Sequence, residues 1–182
     1  MMKISKLVGA AAASAMICGG ASAETIGYSN PNFDDNFQTI VRTAAEEHAK
    51  SLGHDILIED AREDVGTQLS QIQNFIASGV GAIVLAPVST DATPAITEMV
   101  AAAGIPLVYI NRRPVDVNDL GGMSTYVGSD NYVAGTLEGE AACAAAGGQG
   151  SAVMLIGFLR NEDAQARTKA VKDVLATDAF RV

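Results

Sequence analysis

Three short clusters hold the side chains best suited to chemistry. Phe33-Asp34-Asp35-Asn36-Phe37 sets carboxylates between two aromatic rings. Asn111-Arg112-Arg113-Pro114 places two guanidinium groups in succession. Asn161-Glu162-Asp163-Ala164-Gln165-Ala166-Arg167-Thr168 mixes acids, amides and a base. Ionised Asp and Arg make strong, directional hydrogen bonds to hydroxyl groups. A guanidinium adds a planar fork that suits paired hydroxyls or a carboxylate. Each cluster also has a local explanation. Asp35 or Asn36 could cap a helix, with the acids favouring its positive end and Phe37 as its first core residue. The arginines could be solvated loop charge. Asp163 could cap a helix and pair with Arg167 four residues on.

The elements that must carry these clusters alternate. Thr25 to Ser29 reads as a strand, followed by a helix from Asp35 to Leu52 that stops at Gly53. Its apolar positions Phe37, Ile40, Val41, Ala44, Ala45 and Leu52 follow helical spacing. A second strand is expected over Asp55 to Glu59. A second helix follows over Val65 to Ala77, with Leu69, Ile72 and Ile76 on one face. Gly81 to Ala86 is an apolar run expected to be a strand buried on both faces. A helix over Thr93 to Ala103, a strand over Ile105 to Ile110 and a short strand over Tyr126 to Gly128 come next. An Ala-rich helix spans Asn131 to Ala146. A sixth strand is expected over Ala152 to Gly157, a last helix over Asp163 to Ala176, and a seventh strand beginning near Val182.

Strands alternating with helices imply an α/β fold with a doubly wound parallel sheet. Ligands of such sheets bind beyond the carboxyl ends of the strands. All three clusters fall at that end. The expected domains are a complete first α/β lobe over residues 24–128, a crossover segment over 129–150 and the beginning of a truncated second lobe over 151–182.

The first 23 residues point to export. Lys3 and Lys6 precede an apolar run from Leu7 to Ile17, and Ala21-Ser22-Ala23 closes the stretch before Glu24. That is the layout of a signal peptide cleaved after Ala23, and the run is short for a membrane anchor. A lipoprotein signal at Cys18 fits less well, because bulky Ile17 precedes the cysteine.

The 182 residues carry a formal net charge of −9, and both leader charges are lysines, so the mature chain is more acidic still. That argues against nucleic acid or an anionic membrane as partner. Only Cys143 survives cleavage, which excludes a disulfide framework and a cysteine-rich metal site. Neither a Gly-x-Ser-x-Gly elbow, nor a His-Glu-x-x-His pair, nor a Gly-rich phosphate loop is present. His48 and His54 read as solvated or structural. Asp34 with Asp35, or Asp60 with Asp64, remains the acid/base pair that a secreted carbohydrate-acting enzyme would need. No metal or cofactor is called for.

The same residues resemble the periplasmic sugar-binding proteins of ABC importers, in the ribose, galactose and inositol group. The Phe33–Phe37 stretch looks like the first sugar-contact loop of galactose-binding members. Tyr109-Ile110-Asn111-Arg112-Arg113-Pro114 resembles the end of the fourth strand in inositol and rhizopine-type members. Asp163 to Thr168 looks like the first contact loop of their second lobe. The resemblance implies that Asp35, with Asn36 beside it, accepts hydrogen bonds from sugar hydroxyls while Phe37 covers a ring face. It implies ring-oxygen contacts from Asn111 and Arg112, and further contacts from Asp163, Arg167 and Asn161. It also implies a monosaccharide or cyclic polyol as ligand, an inner-membrane permease as partner, a chemoreceptor as a further candidate, a periplasmic location and no catalysis. Ala86 stands where many members have Asn, and Gln38 where ribose binders carry an aromatic, so the sugar is left open. The effector domain of a sugar-responsive LacI-type repressor shares the fold, but needs a helix-turn-helix where the leader stands.

Overall fold

A computed structural model describes residues 24–176 and 180–181; the leader Met1–Ala23 and Val182 lie outside the described residues. The elements are β1 (Thr25–Asn30), α1 (Asn36–Ser51), β2 (Asp55–Asp60), α2 (Val65–Ser78), β3 (Ala82–Leu85), α3 (Thr93–Ala102), β4 (Leu107–Ile110), β5 (Ser124–Val127), α4 (Asn131–Ala145), β6 (Gly150–Ser151), α5 (Glu162–Leu175) and β7 (Phe180–Arg181). A short 3-10 turn, Thr90–Ala92, precedes α3.

β1 to β5 form one sheet in the order β2-β1-β3-β4-β5, every neighbouring pair parallel. The order reverses after β2, so β1 and β3 are adjacent and the crevice opens beyond their carboxyl ends. Aspartates start three of the helices. Asp35 Oδ1 accepts from Gln38 N at 2.8 Å, Asp64 Oδ1 from Thr67 N at 2.6 Å, and Asp130 Oδ1 from Tyr132 N and Val133 N, both at 3.0 Å. Each satisfies amides that the first helical turn leaves unpaired. α2 ends on Gly79 at φ 68°, a left-handed position that glycine occupies without a Cβ penalty.

The core lies between the sheet and α2 and α3. Ile72 and Phe75 of α2, Ile96 and Val100 of α3, Ile83 and Leu85 of β3, and Leu107 and Tyr109 of β4 are almost wholly buried. Phe75 sits over Gly27, where an added Cβ would lie 2.7 Å from the ring. α1 contacts β1 and β2. Ala82 and Val84 are therefore only half-buried, so β3 is not covered on both faces as its apolar run suggested. α2 presents Gln68 and Gln71 as well as Ile72 to the interior, because both glutamines find partners there.

Two other expectations are corrected. α1 turns Gln38 and Ala49 inward, while Phe37 and Ile40 are 54% and 68% exposed, so Phe37 is not a core residue. The face turned to the sheet runs through Gln38 and Ala49, to one side of that apolar stripe, which leaves Phe37 and Ile40 outside it. The sixth strand expected over Ala152 to Gly157 does not form. β6 is Gly150–Ser151, paired parallel with β7, and residues 152–158 have no regular structure. A strand needs a ladder partner for its N–H and C=O groups, and none of the described residues offers one beyond Ser151. Val153 and Leu155 are consequently 91% and 94% exposed.

The crossover helix α4 packs along α5. Gly135 and Gly139 make the close approach possible: a Cβ on Gly135 would lie 2.9 Å from Ala170 Cβ and closer still to the Arg167 carbonyl, and one on Gly139 would lie 2.9 Å from Val174 Cβ. No described helix is long and apolar enough to cross a membrane.

Candidate ligand-binding cleft

A cleft of about 870 Å³ lies between the carboxyl ends of β4 and β5 on one side and the α4–α5 pair on the other. Phe37, Asn111, Arg112, Asn161, Asp163 and Arg167 all line it. Asp35 and Asn36 do not; Asp35 is engaged in capping α1.

β4 delivers its residues through a strained turn. Asn111 adopts φ 62°, a left-handed conformation that Asn tolerates better than most L residues. Its backbone is held at both ends, with N donating to Val127 O at 3.1 Å and O accepting from Tyr126 Oη at 3.0 Å. Gln38 Nε2 donates to Asn111 Oδ1 at 2.8 Å. That bond leaves the Asn111 amide N–H₂ without an acceptor among the described residues. Burial, with the Asp163 charge adding to it, pushes the Tyr126 hydroxyl up to about 12, so it stays a neutral donor.

Arg112 is fixed next to it. Nη1 donates to Pro87 O at 2.9 Å and Val88 O at 3.1 Å, and Glu63 pairs with the end of the guanidinium at 3.1 Å. Behind this loop, Gln68 accepts from Val88 N at 2.7 Å and donates to Ala86 O at 3.0 Å and Ser29 Oγ at 3.1 Å.

α5 closes the other side. Asp163 accepts from Arg113 N at 3.1 and 3.2 Å and from Asn131 Nδ2 at 2.7 Å. Arg167 Nη2 donates to Asn131 Oδ1 at 3.0 Å, and Nη1 lies 3.5 Å from Glu138. Asn161 is 7% exposed and its Oδ1 is buried with no donor among the described residues. Thr90 Oγ1 accepts from Glu162 N and donates to Arg160 O, both at 2.9 Å, tying the start of α5 to the 3-10 turn that follows β3.

Burial holds the Asp163 carboxyl above its ordinary value; the Arg113 N–H offsets part of this and the Glu162 charge adds to it. The folded state thus binds this proton more tightly than the unfolded chain. The stabilisation is present below the unfolded value of 3.8 and is lost as pH rises through the folded value. In Asp163→Asn this contribution is absent. The melting temperature of the variant minus that of the parent should therefore increase between about pH 4 and pH 7. A difference that stays flat across that range would mean that the carboxyl titrates alike in both states.

Asn131 closes the loop after β5, at the carboxyl end of the sheet where the class predicts ligand contacts, whereas Glu138 was not singled out from the sequence. Their spacing of seven puts them on one helical face with Gly135 between, a signal that could have found Glu138 once α4 was known to border a site. Glu63 lies in the loop after β2, at the carboxyl end of the sheet where ligands of this class bind, but its pairing with Arg112 left no trace in the sequence.

The chain belongs to the periplasmic binding protein domain family, which matches residues 26–181. It is 49% identical over 92% of its length to the "Putative rhizopine-binding protein" of Rhizobium meliloti, covering 54% of that protein. It is 30% identical over 96% of its length to the xylitol-binding protein of Mycolicibacterium smegmatis, covering 52% of it. An ABC transporter solute-binding protein from Bacillus halodurans, solved with bound myo-inositol, superimposes with a TM-score of 0.81 at 29% identity, over 90% of this chain and 56% of that one. The chain thus spans about half the length of the curated relatives it matches.

Proposed function

We propose that this protein captures a neutral monosaccharide or cyclic polyol in the cleft, as the solute-binding component of an ABC importer. On this reading the leader directs export and is removed after Ala23, the chain works in the periplasm, and it hands its ligand to an inner-membrane permease without catalysing any reaction. Residues 24–128 act as one lobe, 129–150 as the crossover and 151–182 as part of a second.

The observation that carries the reading is the convergence of unspent polar groups on one cleft from both sides of the chain. Asn111 offers an amide N–H₂ from β4 and Asn161 a buried carbonyl from the start of α5. Hydroxyl groups both donate and accept, so a polyhydroxylated ligand suits a lining that offers amide donors and acceptors of this kind. The charged side chains of the lining, Arg112 and Arg167 against Asp163 and Glu138, cancel. A neutral ligand therefore adds no unpaired charge to the site. Phe37 lines the cleft with a half-exposed ring that can cover the C–H face of a sugar. Asp35 serves as the helix cap that orients that ring. The relatives named for rhizopine and xylitol, and the structure holding myo-inositol, support the ligand class.

Amide chemical shifts of the purified chain, titrated with myo-inositol, xylitol, ribose and galactose, test this. At least one ligand should shift Asn111, Arg112, Asn161 and Asp163 saturably, with Kd on the order of 1 mM or tighter. Arg167→Ala should weaken that binding by about 1.5–3 kcal/mol, the usual value of a hydrogen bond to a charged group. Shifts scattered over the surface, or none with any of the four, would refute the cleft as a polyol site.

A further inference from the structure

We propose that Glu63 is a positioning residue that turns Arg112 into a donor fork for a neutral vicinal diol and selects against carboxylate ligands. This deepens the polyol reading and rests on it.

The guanidinium of Arg112 has three edges, and the protein occupies two. Glu63 takes the end of the group, with Oε1 3.1 Å from Nη2 and Oε2 3.4 Å from Nη1. The Pro87 and Val88 carbonyls take the flank of Nη1, at 2.9 and 3.1 Å. What is left is the side edge, formed by Nε–H and the second Nη2–H, which has no acceptor among the described residues. Two parallel N–H groups on one edge match two neighbouring oxygens, and Arg112 lines the cleft.

Glu63 is built to hold this arrangement. Arg62 and Glu63 adopt φ 53° and 55°, two successive left-handed residues without a glycine between them. Such backbone persists only where its surroundings impose it. Here Arg62 N donates to Asp60 Oδ1 at 2.9 Å, Glu63 N to Pro31 O at 2.7 Å and Asp64 N to Ala61 O at 2.9 Å. The turn is thus anchored to the loop after β1. The Glu63 side chain is 40% exposed, so the ion pair itself adds little to stability. Its consequence lies in the cleft. The glutamate fixes which edge of Arg112 is free and neutralises its charge, so an anionic ligand finds no net attraction there.

Glu63→Gln keeps the size and loses the charge; Glu63→Asp keeps the charge and loses the reach. Two readouts separate the possibilities. The first is nitrogen NMR of the Arg112 guanidinium, where slow Nη rotation marks a clamped group. The second is affinity for myo-inositol and for the anion galacturonate. In Glu63→Gln, rotation should become fast, myo-inositol should bind about tenfold more weakly, and galacturonate should gain relative to it. Glu63→Asp should also release the rotation, but without the gain for galacturonate. If the parent binds myo-inositol while Glu63→Gln keeps slow rotation and the same selectivity, the positioning role is overturned and the polyol reading stands. If the parent shows slow Arg112 rotation yet binds none of the neutral polyols, the functional reading fails and takes the ligand-positioning role with it.

Discussion

Replacing Gln68 by Leu is expected to lower the unfolding free energy by about 2–5 kcal/mol, although the two side chains are similar in size. Gln68 is 1% exposed and serves three partners at once: Val88 N, Ala86 O and Ser29 Oγ. Leucine leaves the Val88 N–H and one acceptor position on Ala86 unpaired in the interior, where each orphaned group costs about 1–3 kcal/mol. Ser29 retains its bond to Gln71 Oε1 at 2.7 Å, which bounds the loss. The urea midpoint should fall by the corresponding amount with the slope unchanged. A binding defect should accompany it, because the loop that Gln68 holds supplies the Pro87 and Val88 carbonyls that hold Arg112. A Leu variant as stable as the parent would mean that water or a shifted backbone replaces the glutamine without cost.

Gly135→Val should cost about 2–3 kcal/mol, and it should do so by parting α4 from α5. Helix propensity alone predicts the opposite sign, since glycine is the poorer helix former by a few tenths of a kcal/mol to about 1. The Cβ, however, would enter the contact with the Arg167 carbonyl and Ala170. Backbone on both sides leaves little room to adjust. Separating the helices also breaks the bonds from Asn131 to Asp163 and from Arg167 to Asn131, so ligand shifts at Asp163 should weaken as stability falls. Ala141→Val, on an exposed position of the same helix, serves as the control and should cost no more than about 0.7 kcal/mol. Equal effects at the two positions would show that the α4–α5 contact is loose.

Much of the architecture was legible because it is written in local patterns. Alternating apolar runs and amphipathic helices, with Gly53, Gly79 and Gly104 as stops, placed the elements of the first sheet to within a few residues. The doubly wound class follows from that alternation, and it directs attention to the carboxyl ends of the strands. Capping at Asp35 was legible for the same reason: it depends on residues three apart. Long-range partners were not. Gln38 looks like a polar helix residue, yet it is 3% exposed because Asn111, brought close only by the sheet, accepts from it. The expected strand over Ala152 to Gly157 has the composition of a strand, but a ladder is a relation between two segments, and here only Gly150–Ser151 has its neighbour.

The sequence by itself determined the alternation of strands and helices, the reversal-capable α/β class and the end of the sheet at which polar residues collect, because each depends on spacing along the chain. Tertiary structure alone decided which of those residues share a cleft. It placed Glu63 against Arg112 and set Asp163 under the Arg113 amide. It also brought Asn131 to α5 through two glycines, since hydrogen bonds and close packing between distant segments leave no period in the sequence that joins them.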